Sequence, residues 1–292
     1  MQHIDIVVPT TSLEPFYFTM VGCAHLEAAL HHERLFDAMM KRRAALPNHR
    51  FGFNGDLINA ILARDEKRYS AHETKKEVAA RTDYCNAAIE IAIDKLSPYA
   101  TQIDMIGLGN HEYKVIQKDG VDLIDLLCKA LKAEGAPAHW GGYCGMLTYH
   151  FADKKLLEAG GKLAHGCQFR ALYHHGFSGG RGKGIIPIKA WSADMPDFDA
   201  CYTAHSHAEG VFLDPKMRQS KAYWRDGQVA QREAEHDDRY YVITGTYLKG
   251  YTNHGELPDY GERAAHPPRS LATPLTKVTP QLGHGISIEV TI

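Results

Sequence analysis

Cysteine, histidine, aspartate and asparagine recur in this sequence in tight groups. Cys23 and His25 stand two apart, Asp56 and Asn59 three apart, and Asn110 and His111 are adjacent. Further along come His174-His175-Gly176 and His205-Ser206-His207. Thiolate, imidazole, carboxylate and amide oxygen are the donors that hold transition metals. A mixed nitrogen–oxygen set suits Mn, Fe, Zn or Ni rather than Ca or Mg. Singly, each group is a weak signal: a lone histidine is ordinarily a surface or core residue, and an Asn-His pair is ordinarily a turn. Order and placement are what carry the signal.

Placement requires elements that end at these groups. Phe16–Val21 reads as a strand ending at Gly22, Phe51–Phe53 as a second and Ile103–Ile106 as a third. Cys167–Tyr173 and Asp199–Thr203 precede the two later groups in the same way. Ligands in α/β sheets gather at the carboxyl ends of strands. Helices are expected from Leu26 to about Leu46, from Glu73 to Leu96 and from Val121 to Leu131. The middle one carries Val78, Cys85, Ile89, Ala92, Ile93 and Leu96 on one face, with Cys85 in the core. The first half is therefore βαβαβα-like. The second half has further strands near Met146–Phe151, Tyr240–Thr246 and Ile286–Ile292, and a short helix over Ile185–Ala193. Tyr251–Pro280, rich in Gly, Pro and His, is expected to be a long ordered loop packed on the body. No Ser/Gly-rich linker divides the chain, so one domain over 1–292, built from two sheets, is expected.

Composition narrows the classes. In 292 residues, 44% are hydrophobic and 23% charged, which excludes a disordered chain. A net charge of −2 gives no global positive field for nucleic acid, although a local patch would suffice. The six cysteines are scattered with no C-x-x-C pair, which points to a reducing compartment, the cytoplasm. Met1–Asp5 predicts no signal peptide, and no run of about 18 apolar residues predicts a membrane span.

The ordered groups resemble the calcineurin-like metallophosphoesterase family. That family carries D-x-H, G-D-x-x-D/N, G-N-H-E/D, an H-G or H-x-P element, and G-H-x-H. The counterparts here are Cys23-Ala24-His25, Gly55-Asp56-Leu57-Ile58-Asn59, Gly109-Asn110-His111-Glu112, His174-His175-Gly176 and Ala204-His205-Ser206-His207. The likeness spans about residues 16–210, and residues 211–292 are expected to complete the second sheet and form the long loop. The glycine-rich stretch Gly176–Gly184 is similar to phage-type members.

The resemblance implies a four-layer α/β/β/α sandwich of two mixed sheets with a dinuclear site at one edge. Asp56 would bridge two divalent ions, Mn, Zn or Fe. His25 and His207, with whatever position 23 supplies, would complete one site. Asn110, His205 and His175 would complete the other, with His174 as the alternative to His175. His111 would face the phosphate and stabilise or protonate the leaving oxygen, while Glu112 and Asn59 would support the ligands or the turns. Two cations about 3.5–4 Å apart neutralise a phosphate ester, polarise P–O and lower the pKa of water from 15.7 toward roughly 7. The implied reaction is hydrolysis of a phosphodiester by hydroxide held at that centre, with nucleic-acid ends or nucleotides among the substrates. Phosphomonoesterase or protein phosphatase activity is the alternative within the fold. A non-catalytic metal-binding interaction module, or a mononuclear zinc protein using Asp56, Asn110, His175 and His205, is the alternative outside it.

One departure stands out. The family has Asp where this chain has Cys23, a soft donor that favours Zn or Fe. Cys23 either ligates as thiolate, or sits beside the metal without binding, or marks a lost site. Other signals are weaker. Arg181 and Lys183 lie in the glycine-rich stretch, which lacks P-loop spacing, and are candidates to contact substrate phosphate. Lys41-Arg42-Arg43 reads as a solvated helix end. His3, His31 and His32 read as surface residues. Tyr247, Tyr251, Tyr260 and His254 could line the cleft or simply pack. No membrane partner is expected, and oligomeric state is left open.

Overall fold

The computed structural model describes residues 1–65, 69–158, 167–176, 185–219, 224–225, 228–229, 234–236, 238–252, 260–263, 270–282 and 285–292. The first part of the chain runs β1 (Gln2–Thr10), β2 (Phe16–Val21), α1 (Glu33–Ala44), β3 (His49–Asn54), α2 (Lys76–Ala79), α3 (Tyr84–Leu96), β4 (Ile103–Gly107), α4 (Asn110–Asp119) and α5 (Leu123–Ala133). It continues β5 (His139–Trp140), β6 (Cys144–Asp153), α6 (Lys154–Glu158), β7 (Cys167–His174), α7 (Ile185–Ser192), β8 (Ala200–Thr203) and β9 (Glu209–Asp214). The last part holds the short strands β10 (Met217–Gln219), β11 (Trp224–Arg225), β12 (Gln228–Val229) and β13 (Ala234–His236), then β14 (Arg239–Thr244), α8 (Tyr260–Arg263), β15 (Leu275–Gln281) and β16 (Gly285–Thr291).

Two six-stranded mixed sheets organise these elements. One has the order β16-β15-β2-β3-β4-β5 and the other β1-β6-β7-β8-β14-β9. Strands β2, β3 and β4 are mutually parallel, as are β7, β8 and β14, so in each sheet a run of carboxyl ends points the same way. Alternation along β2 explains how the sheets meet. Phe16, Phe18 and Met20 point to the second sheet, where Phe16 meets Tyr149 and Phe151 at ring separations of 4.7 and 5.3 Å. Val21, Phe51, Phe53 and Ile106 line the opposite face under α1, α3 and α5. Ile188 of α7 covers the outer face of the second sheet with Met146, Leu172, Cys201 and Tyr241. Buried polar ties cross between the sheets, and one of them holds a carboxylate. Tyr149 on β6 donates to Asp104 on β4 at 2.8 Å, and Arg50 Nε reaches the same carboxylate at 2.9 Å. The full satisfaction of Asp104 is what lets a charge sit there at 0% exposure.

Several elements differ from the sequence expectation. The helix expected from Leu26 starts at Glu33. Residues 26–31 are drawn into loop bonds instead, Leu26 N–H to Leu57, Ala28 N–H to His25 and Ala29 N–H to Glu73. The helix expected over 73–96 is broken before α3, where Asp83 takes the N-cap position and Arg81 forks onto its carboxylate at 2.7 and 2.6 Å. Tyr251–Pro280 is not all loop, since it contains α8 and most of β15. Thr276, Val278 and Pro280 alternate inward along β15, and β15 pairs with both β2 and β16. Strands β1 and β9 and helix α4 were not anticipated. His31 is buried rather than at the surface, Arg43 turns in to donate to the Thr273 carbonyl at 3.3 Å, and Cys85 is half-buried. Tyr247 is core, packed edge-on against Phe36. None of the six cysteines is in a disulfide. Among the described residues no helix is long and apolar enough to cross a membrane.

Candidate metal centre

Five strands deliver the groups singled out in the sequence. The loops after β2 and β3 carry Cys23, His25 and Asp56; the turn after β4 opens α4 with Asn110 and His111; and the loops after β7 and β8 carry His175, His205 and His207. These loops come from both sheets and touch backbone to backbone. Gly55 and Gly109 make that contact feasible. A Cβ on Gly109 would meet Asp56 N at 2.3 Å, and one on Gly55 would meet Gly109 N at 2.4 Å. The backbone is also bent sharply where donors project. Among the described residues nine non-glycine residues have positive φ, and Cys23, His25, Asp56, His205 and His207 are five of them. Such conformations persist only where the surroundings enforce them, and they cluster at functional sites.

The side chains converge as two groups that share Asp56. Ligand atoms of Cys23, His25, Asp56 and His207 all lie within 4.8 Å of one another, and so do those of Asp56, His175 and His205. In the first group His25 Nε2 and His207 Nε2 are 3.2 Å apart. In the second, His175 Nε2 is 3.2 Å from both Asp56 Oδ2 and Asn110 Oδ1, and His205 Nδ1 is 2.7 Å from the same amide oxygen. The outer hydrogen bonds fix which ring nitrogens face inward. His25 Nδ1 donates to Asn59 Oδ1 at 3.0 Å, and His175 Nδ1 donates to the Asn54 carbonyl at 2.7 Å. Each Nε2 is then the nitrogen left to present a lone pair. Imidazole lone pairs, a carboxylate and a carbonyl oxygen facing one another repel unless a cation lies among them. The donor chemistry therefore fits two divalent ions.

The electrostatics agree. Burial and the neighbouring His111 push the His25 pKa down to about 3, which keeps its ring neutral. Burial opposes the charge on Asp56, but His175, His111 and His25 outweigh it and hold the carboxyl well below its usual range. His175 is raised despite its burial, because Asp56 lies beside it.

Two buried carboxylates brace the loops without belonging to either group. Glu112 accepts from the backbone N–H of Asp56, Ile58 and Gly109 at 3.1, 2.9 and 2.9 Å. It is the third residue of α4, reaching back to the N-cap amide. Glu27 accepts from the N–H of Asn59 and Ala60 at 2.8 and 2.7 Å and from the Tyr84 hydroxyl at 2.9 Å. The sequence analysis missed Glu27. Its signal was present, since a loop buried at 55–60 leaves amides that need an acceptor, and Glu27 stands two residues past His25.

The remaining candidates fall as follows. His111 is held by its own backbone N–H donating to Asp56 Oδ1 at 3.0 Å, and by Nδ1 donating to the Asn59 carbonyl. Its ring lies 4.9 Å from that of His25. His174 is not in either group. Its Nδ1 accepts from Gly176 N–H at 2.9 Å, and its ring packs against Trp191 and Tyr143. Cys23 is fully buried with its sulfur in the first group, and Sγ also accepts from His205 N–H at 3.2 Å. Arg181, Lys183, His254 and most of Gly176–Gly184 lie outside the described residues, as do residues 66–68.

No protein-family model matches the chain, and no curated protein matches it significantly. Among solved structures it is similar to GAP50, the anchor in the inner membrane complex of Plasmodium, at 8% identity and a TM-score of 0.42, covering 94% of this chain and 84% of that one. It is also similar to the NAD nucleotidase of Haemophilus influenzae, at 10% identity and 0.39, covering 97% of this chain and 50% of that one. A third is a Saccharomyces cerevisiae protein serine/threonine phosphatase with similarity to human phosphatase PP5, at 10% identity and 0.33, covering 98% and 82%. Likenesses this slight establish neither fold family nor activity.

Proposed function

We propose that this chain is a metal-dependent phosphoesterase with a four-layer α/β/β/α sandwich of the calcineurin-like metallophosphoesterase type, acting on a phosphodiester. The observation that carries the reading is the position of Asp56, one carboxylate shared by two convergent donor groups. A shared carboxylate is what holds two cations at the spacing that phosphate-ester hydrolysis uses. His25, His207 and Cys23 would hold one ion, and Asn110, His175 and His205 the other, with Asp56 available to both. Bound there, two divalent ions supply charge neutralisation of the ester, polarisation of P–O and a water acidic enough to react near neutral pH.

The protein's own groups do the rest. The N–H bonds from His111 and Glu112's capping of Asp56 N–H keep the shared carboxylate from rotating. His111 gives a proton to the leaving oxygen. Because its Nδ1 proton is engaged by the Asn59 carbonyl, the donated proton sits on Nε2 and the reacting ring carries both. Arg181 and Lys183 add charge for the substrate phosphate. Nucleic-acid ends and nucleotides are the substrates proposed.

The test is hydrolysis of bis(p-nitrophenyl) phosphate by metal-stripped protein refilled with Mn, Zn or Fe(II), beside His111→Ala. Metal-dependent turnover that drops about 100-fold or more in the variant, at unchanged metal content, is expected. No turnover with any of the metals would overturn the diesterase reading.

A further inference from the structure

The exposed side of α4 leads away from His111. Residues three and seven positions on share a face with the first, so Lys114 and Lys118 stand on the His111 side of the helix. They lie about 5 and 10 Å along its axis. Opposite them, Arg64 and Asp65 complete a surface depression whose near end is Ala60. Ala60 follows Asn59, the residue whose carbonyl holds the His111 ring. The depression therefore adjoins the loop whose carbonyl holds the His111 ring.

Its charge is not balanced. Among the described residues three basic side chains line it, Arg64, Lys114 and Lys118, against two acidic ones, Asp65 and Asp119. Arg64 pairs with Asp119. The two ammonium groups share Asp65 at 3.8 and 3.9 Å, beyond hydrogen-bond length. Both keep N–H donors for a further anion, and their side chains are 42% and 46% exposed, against 14% for Asp65. Exposed pairs of this kind add little to stability. The helix dipole accounts for a cation in the last turn, where Lys118 sits, but not for Lys114 in mid-helix.

We propose that this basic shelf binds the phosphates next to the scissile one in a single-stranded nucleic acid. The inference rests on the phosphodiesterase reading and narrows its substrate to a strand. A strand carries a phosphate on every nucleotide, so lysines about one and two helical turns beyond His111 stand where the phosphates that follow would pass. A phosphomonoester or a small diester has no such groups. Lysine serves here as a compact, rotatable point charge, suited to a phosphate without fixed orientation.

The test has two arms. In EDTA, a fluorescein-labelled oligodeoxynucleotide is titrated with the full chain at several salt concentrations and followed by anisotropy. Lys114→Gln/Lys118→Gln is expected to weaken binding about tenfold and to lower the slope of log K against log salt by about 1.4, two single-strand contacts. Lys114→Arg/Lys118→Arg is expected to retain binding. Unchanged affinity and slope in the glutamine variant overturn the proposal. In the second arm, with metal restored, the variant's ratio of kcat/KM on the oligonucleotide to that on bis(p-nitrophenyl) phosphate is expected to fall about tenfold, through KM. A wild type that hydrolyses both substrates, with the ratio unchanged in the variant, overturns the shelf alone. A wild type that hydrolyses neither overturns the phosphodiesterase reading, and the EDTA arm then decides the shelf by itself.

Discussion

The two donor groups that meet at Asp56 are built by different means. The first, with Cys23, His25 and His207, includes a sulfur and is held entirely by residues in the left-handed backbone region, with φ of 50° at Cys23, 48° at His25, 50° at Asp56 and 54° at His207. The second has only nitrogen and oxygen donors, and it takes Asn110 from the regular start of a helix. The first is also the more heavily braced. Glu27 pins the 59–60 backbone, Asn59 orients His25, and His31 donates to the carbonyl of Ala24 at 2.7 Å. In the second group the Asn54 carbonyl orients His175, and Glu112 pins the Gly109 amide at the start of the helix that carries Asn110. A strained, soft group needs a scaffold that over-determines it, while a hard group set on a helix end does not. Two ions bound there should therefore differ in identity and in ease of loss, with Asp56 the donor common to both groups.

That tie can be broken directly. Asp56→Asn keeps the shape and removes the charge common to both groups. Metal content should fall below one equivalent, and turnover should fall by more than about 100-fold, beyond what outer partners alone cause. Elemental analysis after gel filtration reads the first quantity and bis(p-nitrophenyl) phosphate the second. Retention of one full equivalent would mean that the groups bind independently, and the shared-carboxylate picture would fail.

A smaller change sharpens the contrast without abolishing it. Cys23→Asp replaces the soft donor by a hard one in the first group alone. Competition between Zn and Mn should shift toward Mn by about tenfold at one equivalent and stay unchanged at the other. Cobalt-substituted wild type should show a thiolate-to-metal absorption that the variant lacks. If wild type shows no such band, Cys23 sits beside the ion rather than on it.

Much of this contrast was visible in the residue order, and the reasons are local. Strands β2 and β3 announce themselves because aromatic and β-branched residues alternate and then stop at Gly22 and Gly55. The donors follow at once, so placing the strands places the donors. What could not be read was the path of chain whose bonding partners are remote. Leu26–His32 has helix-forming composition, yet its amides are claimed by Leu57, Glu73 and Tyr247. Strand β15 was hidden because Pro280 and the surrounding glycines and prolines mask its alternation, although its partner β2 was plain. The choice between His174 and His175 turned on one residue of register. Adjacent residues on a strand point to opposite faces, and only the fold shows which face holds the other donors.

The smallest expected effect concerns the bracing beneath the first group, and acid reveals it. His31 is 5% exposed, and burial, set only partly against its bond to Ala24, pushes its pKa down to about 4 from the usual histidine value near 6.5. Its Nε2 has no hydrogen-bond partner, so a second proton there would be buried unpaired. The unfolded chain binds that proton below about pH 6.5 and the folded chain does not until about pH 4. Between those values the unfolded state holds more protons, so stability rises with pH across the window and levels off above it. The contribution of His31 is thus present at pH 7 and lost as the pH falls toward 4. His31→Gln keeps a donor for the Ala24 carbonyl and has nothing to titrate. Urea unfolding at pH 7 and pH 5 should show wild type losing about 1–2 kcal/mol more than the variant over that interval. Equal losses would mean that His31 is already solvated, and that the Cys23–His25 loop is held by Glu27 and Asn59 without it.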